Sequence, residues 1–209
     1  MYTPSHFEQP NRENLHELIR SRPLATLVTI DSQGINANHI PLHLSTDPEP
    51  FGTLRGHVAR ANPIWRDLDT SIDVLAIFHG PEAYISPSWY ATKQVTGKVV
   101  PTWNYTVVHA YGSLRVIDDA AWKRTQLEAL TNHNEAAFPE PWAIDDAPFD
   151  FTEKLLDAIV GIEMVITRLA GKWKVSQNQP PENQDSVIQG LNTSSQREAA
   201  AMAALINKG

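Results

Sequence analysis

The stretch from Asn104 to Ile117 constrains the fold more than any other, because it alternates as one long strand. Trp103, Tyr105, Val107, His109 and Tyr111 fall on one face, and Asn104, Thr106, Val108, Ala110 and Gly112 on the other. Shorter segments accompany it. Leu24 to Ile30 is a β-branched run, Asp31-Ser32-Gln33-Gly34 is a turn in which glycine supplies positive φ, and Ile35 to Leu44 is a second strand, so the two form a hairpin. Pro41 cannot donate to a ladder and predicts an edge or a bulge nearby. Thr53 to Ala59 reads as a third strand, Asp73 to Phe78 as a central one, and Ala83 to Ser86 as the start of another. Gly161 to Leu169 alternates, and Ala170-Gly171 is expected to turn into a last strand from Lys172 to Ser176.

Helical signals are fewer. Asn11 can cap a helix whose Leu15, Leu18 and Ile19 form one buried stripe ending at Pro23. Ile64, Trp65 and Leu68 fit a short helix opened by Pro63, Asp118 or Asp119 can cap a helix from Ala120 to about Asn134, and Phe151 to Ile159 looks helical. Some eight strands, two tight hairpins and one long return helix predict a mainly β fold with helical additions, a small antiparallel barrel. With no cysteine in 209 residues, disulfides and thiol chemistry are excluded and stability must come from packing. No run approaches the roughly 18 apolar residues of a membrane span, and the N-terminus lacks the basic start and apolar core of a signal peptide. A cytoplasmic protein with no membrane partner is expected.

Chemistry-bearing residues gather in two places. From Ala83 to Ile117 there is no acid, and two near-copies stand there, Pro87-Ser88-Trp89-Tyr90 and Pro101-Thr102-Trp103-Asn104, with Lys93, Gly97 and Lys98 between them. Aromatic walls, hydroxyls and uncompensated positive charge suit a flat anionic ligand, while a surface loop whose tryptophans cap a barrel end explains the same residues. The other place is the third strand. Leu54 and Val58 point inward there, which turns Arg55 and His57 to the opposite face, and Arg60-Ala61-Asn62-Pro63 then feeds a helix start. Those are the parts of an anion cradle, and a basic surface strand is the bland alternative. His39 and His43, four apart, share a strand face, but no third ligand is indicated, so no metal site is expected. Gly97-Lys98 lacks the earlier glycine of a phosphate-binding loop, no nucleophile elbow is present, and no catalytic residue is assigned.

The net charge of −7 argues against general affinity for nucleic acid, whereas Pro50 to Arg66 carries Arg55, Arg60, Arg66 and His57 without an acid. A local basic site in an acidic chain matches one small anion better than a duplex. Beyond Gln177 the composition shifts to Gln, Asn, Ser, Pro and Ala, which divides the chain into a barrel domain with capping helices over residues 1–178 and a helical tail over 179–209. Val187 to Leu191 and Ala199 to Ile206 are the tail's helices, the second introduced by Ser195-Gln196-Arg197-Glu198 as a capping box. Arg197 and Lys208 are its only basic residues, too few for a recognition helix on DNA.

Several motifs carry a more specific resemblance. Ala37-Asn38-His39-Ile40-Pro41, Leu54-Arg55-Gly56-His57-Val58-Ala59-Arg60-Ala61-Asn62-Pro63, Ala83 to Tyr90, Gly97 to Tyr105, His109-Ala110-Tyr111-Gly112 and Gly171-Lys172-Trp173-Lys174 resemble the PaiB family of FMN-binding negative transcriptional regulators, from Met1 to about Leu191. That resemblance implies an antiparallel FMN-binding split β-barrel and a homodimer with a flavin at each end of the subunit seam. It implies that Asn38, His39, Arg55, His57, Arg60 and Asn62 meet the flavin phosphate. Trp103, Asn104, Tyr105, Trp173 and Lys174 would then surround the ring from the partner, with Ser88 and Trp89 nearby. It also implies repression of protease-synthesis and sporulation genes, hence a DNA partner, although the chain shows no reader motif. Two alternatives stay open: a flavin-dependent oxidoreductase, in which the cofactor does the electron transfer, and a haem-binding split barrel.

Overall fold

A computed structural model describes residues 1–66, 69 and 71–207. Its eight strands are β1 (Glu8–Gln9), β2 (Leu24–Asp31), β3 (Gly34–Pro41), β4 (His43–Ser45), β5 (Thr53–Ala59), β6 (Val74–Ile85), β7 (Thr102–Ile117) and β8 (Ile159–Lys174). They form one sheet in the order β3-β2-β6-β7-β8-β5-β4, with β1 on β8. The helices are α1 (Arg12–Ser21), α2 (Lys93–Thr96), α3 (Ala120–Glu135), α4 (Phe149–Asp157), α5 (Pro181–Asn192) and α6 (Ala199–Ile206). The mainly β, antiparallel architecture expected from the alternation is what forms. No helix among the described residues is long and apolar enough to cross a membrane.

The β2–β3 hairpin closes with Asp31 opposite Gly34, whose φ of 114° no β-branched residue would tolerate. Pro41 ends β3 at the edge of the sheet, and the chain breaks at Leu42 before β4, so His39 and His43 lie on different strands. Helix α1 is capped as the sequence indicates, Asn11 Oδ1 accepting from Asn14 N at 3.2 Å. Asp119 caps α3 in the same way through Trp122 N at 2.7 Å. A short 3-10 turn spans Pro63–Trp65, and the helical reading through Leu68 lies outside the described residues, as does Lys208.

Four readings are corrected. Strand β6 runs unbroken from Val74 to Ile85 rather than as two strands, and β8 runs unbroken from Ile159 to Lys174 with no turn at Ala170-Gly171. In both, a glycine inside the strand is a place of close approach: a Cβ on Gly80 would lie 2.1 Å from Thr106 Oγ1, and one on Gly171, read as part of a turn, would lie 2.2 Å from Leu15 Cδ2. Helix α4 is shifted toward the N-terminus, because Ile159 belongs to the ladder of β8, opposite Ala59. The capping box before α6 does not form. Glu198 takes the position before the helix, and its Oε2 accepts from Glu82 N at 3.2 Å instead.

By contact the chain divides into two compact units, Met1–Leu18 with His79–Val108 and Ala170–Gly209, and Ile19–Phe78 with His109–Leu169. In the first unit the buried Ala83, Ile85, Tyr90 and Val175 pack with Val187 and Leu191 of α5 and Met202 and Ile206 of α6. Gln196 finishes a strand edge there, its side-chain amide exchanging hydrogen bonds with both Tyr84 N (2.8 Å) and Tyr84 O (3.0 Å). In the second unit the inward faces of β2, β5 and β8 meet through Leu27, Leu54, Val58, Val160, Ile162 and Met164, all nearly inaccessible. That burial fixes the register and sends the alternate residues of β5 to the other face.

Candidate functional site

Register builds the site of the second unit. His43 of β4 pairs with Arg55 of β5, and Arg55 pairs with Glu163 of β8, so three ionisable groups stand in a row across the sheet. Glu163 is 2% exposed and is neutralised by two arginines. Arg55 Nε donates to Oε2 at 2.8 Å and Arg115 Nε to Oε1 at 2.7 Å. Charge is left over after that pairing, since two guanidinium groups face one carboxylate.

Helix α3 covers this row. Gly161 admits the Trp122 indole, because a Cβ there would lie 2.4 Å from the ring. One turn later Gln126 Oε1 meets His57 Nδ1 at 3.0 Å. Between helix and strands lies a cavity of about 450 Å³ lined by Arg20, His43, Arg55, Trp122 and Gln126 with Ser45 and Thr46, and by no carboxylate. Burial first, then the charges of His133, Arg55 and Arg20, pull the His43 imidazole below its usual pKa. Gln126 is 2% exposed, and its Nε2 finds no hydrogen-bond partner among the described residues. Turned the other way, the amide would leave its oxygen over instead, so the buried group is incomplete in either orientation. Three cationic or basic side chains, Arg20, His43 and Arg55, and an orphaned polar atom in one acid-free cavity have the chemistry to receive an anion.

The remaining phosphate candidates lie in this unit, in other arrangements. Asn62 Nδ2 donates to Asn38 Oδ1 at 2.8 Å, and Asn62 Oδ1 accepts from Ile64 N at 3.0 Å, which occupies the amide that a cradle would have offered. His39 is exposed on edge strand β3. Arg60 already holds an anion of the protein itself. Its Nη1 and Nη2 donate to the two oxygens of Asp118 at 2.7 Å each, and its Nε donates to Asp157 O at 2.6 Å. Arg60, followed by the buried Lys123, holds the Asp118 carboxyl far below the usual range. Arg60 therefore ties the end of β5 to the start of α3, and the structure does not bring it to the cavity. The sequence reading missed Arg20, Trp122, Gln126 and Glu163, although Trp122 and Gln126 stand four apart on a capped helix and so share a face.

The aromatic candidates belong to the first unit. Ser88 Oγ accepts from Lys93 Nζ at 3.2 Å, and Trp89 lies against Gly190 of α5, where a Cβ would sit 2.4 Å from the ring. Trp103 is 53% exposed and meets the exposed Tyr84 edge to face at 6.0 Å between centroids. Asn104 is buried and donates to Ser176 Oγ at 2.8 Å, Tyr105 faces the Lys172 ammonium at 5.3 Å, and Trp173 packs on the core. Lys174 Nζ donates to Trp103 O at 2.7 Å and to Thr102 Oγ1. Asn104 and Lys174 line a cavity in this unit, while the indoles turn elsewhere. Among the described residues no group of three or more His, Cys, Asp or Glu is placed to hold a metal ion.

Comparison with known proteins agrees with this architecture. Residues 1–168 match the family described as "Putative FMN-binding domain". The chain is 32% identical over 209 residues to the protease synthase and sporulation protein PAI 2 of Bacillus subtilis, covering 99% of this chain and 96% of that one. It is 37% identical over 213 residues to an uncharacterized protein of Emericella nidulans, covering 85% and 84% of the two chains. Among solved structures, the FAD and heme binding protein from Mycobacterium smegmatis shares the fold with a TM-score of 0.57 at 17% identity, over 88% of this chain and 80% of that one. The chain therefore belongs to the PaiB family of FMN-binding split-barrel proteins.

Proposed function

We propose that this protein binds FMN with the flavin phosphate in the acid-free cavity beneath α3, and that it works as a cytoplasmic homodimer. The observation that carries the reading is the buried Gln126 amide, left without a partner where Arg20, His43 and Arg55 converge. With Glu163 holding Nε of Arg55, its two Nη groups make no hydrogen bond to any described residue and would be available to donate to phosphate oxygens. Gln126 would complete its hydrogen bonds on the ligand, and Trp122 offers a flat apolar wall. FMN, once bound, would supply one- and two-electron transfer, while the protein binds, orients and excludes water.

The regulatory role implied by the family resemblance is assigned to the flavin state or to a protein partner rather than to α6. That helix buries Ala199, Met202, Ala203 and Ile206 and turns Ala200, Ala201 and Ala204 outward, a face with no side chain to contact phosphates or base edges. Titration of FMN into the purified protein tests the reading. Saturable quenching of flavin fluorescence is expected, and fluorescence that tracks free FMN throughout would overturn it. Anaerobic bleaching of the bound flavin by NAD(P)H would instead favour an oxidoreductase.

A further inference from the structure

The first unit contains a cavity of about 510 Å³ that is not the one assigned to the flavin phosphate, although Asn104 and Lys174, which the family resemblance implies around the ring, line it. Its wall joins the segment before β7, the start of β7, the end of β8 and the start of α5. Its two charged lining residues are Lys98 and Lys174, with no carboxylate. Lys174 hydrogen-bonds only to neutral oxygens, those of Trp103 and Thr102, and burial followed by the charge of Lys172 pulls its ammonium below the usual pKa. Lys98 Nζ makes no hydrogen bond or ion pair with any described residue, and no acid answers either lysine. A half-buried cation without a counter-ion is stabilised when an anion enters beside it.

A second observation points the same way. Tyr90 is 6% exposed and lines the cavity, and its hydroxyl, which makes no hydrogen bond to a described residue, is not a fully buried atom. An accessible phenol that no protein group engages is available to donate to a ligand. Burial raises its pKa, which keeps it a neutral donor. Opposite, the buried Asn104 and Ser176 form a hydrogen-bonded pair, with Ser176 held at a φ of 65°, the one non-glycine residue of positive φ among those described. Such strain persists where the surroundings hold a side chain in place.

We propose that this cavity binds a small phosphorylated metabolite, with Lys98 and Lys174 neutralising the phosphate, the Tyr90 hydroxyl donating to it and the Asn104–Ser176 pair contacting hydroxyls of its body. Every residue invoked belongs to the first unit, and none of them lines the cavity beneath α3.

Calorimetric titration of the full chain with inorganic phosphate and with glycerol 3-phosphate tests the proposal. Saturable binding of glycerol 3-phosphate is expected, weakened about tenfold by Lys98→Met and roughly threefold by Tyr90→Phe, and unchanged by Arg55→Ala. Lys98 is exposed and Tyr90→Phe keeps the packed ring, so both variants should fold, which circular dichroism verifies. Failure of both probes to bind, or equal affinity in the wild type and Lys98→Met, overturns the proposal. So does loss of FMN binding in Lys98→Met with glycerol phosphate binding intact, because that result gives the cavity to the flavin. Binding of glycerol phosphate by a protein that ignores FMN would remove the flavin reading and leave this one standing.

Discussion

His43 illustrates how one side chain reports on the cavity around it. Its pKa lies below the ordinary 6.5 because burial and the charges of His133, Arg55 and Arg20 disfavour the imidazolium. The unfolded chain thus binds a proton that the folded one refuses, so this contribution to stability is present above pH 6.5 and is lost as pH falls below it. An anion in the cavity would reverse the local balance and raise the imidazole pKa, so FMN bound there as proposed would take up a proton through this residue. The difference in FMN affinity between the wild type and His43→Gln should widen as pH falls from neutrality, read by calorimetry in buffers of unlike ionisation heat. A constant difference would separate His43 from the ligand. Arg55 and His57 were readable as outward-facing from alternation alone. Arg60 was not, because the Asp118 that captures it lies 58 positions along the chain and no local pattern announces the pair.

Whole elements were legible where the pattern is periodic and illegible where glycine has two meanings. The limits of β5 and the caps of α1 and α3 follow from alternation and capping chemistry. Gly171 looks like part of a turn because sequence alone does not separate a residue chosen for its φ from one chosen for its size. Gly161 is the instance that matters for the site. Adding a methyl group there places a Cβ 2.4 Å from Trp122 Cζ3 and 2.7 Å from Ile117 O, and the backbone atom cannot simply rotate aside. Gly161→Ala should cost about 1–3 kcal/mol in urea denaturation and should weaken FMN binding along with it, because the displaced indole is a wall of the cavity. Unaltered stability would mean that the helix yields without resistance. The box Ser195 to Glu198 failed for a comparable reason: the glutamate found a strand-edge amide at Glu82, far away in sequence.

For the molecule as a whole, charge and exposed rings carry the argument. A chain of net charge −7 keeps the two cavities described above free of carboxylates, which concentrates positive potential where an anion can use it and leaves little affinity for a duplex. Tyr84 and Trp103 stand exposed against each other, and an aromatic pair in water is the surface we assign to the subunit seam. Light scattering should show a dimer for the wild type and a monomer for Trp103→Glu; a wild-type monomer at all concentrations would remove the seam. The most direct test of the flavin account compares FMN with riboflavin, which lacks only the phosphate. The wild type should bind FMN far more tightly, and Arg55→Ala should narrow that preference by about 1.5–3 kcal/mol while leaving riboflavin affinity unchanged. Equal affinity of the wild type for the two flavins would contradict it.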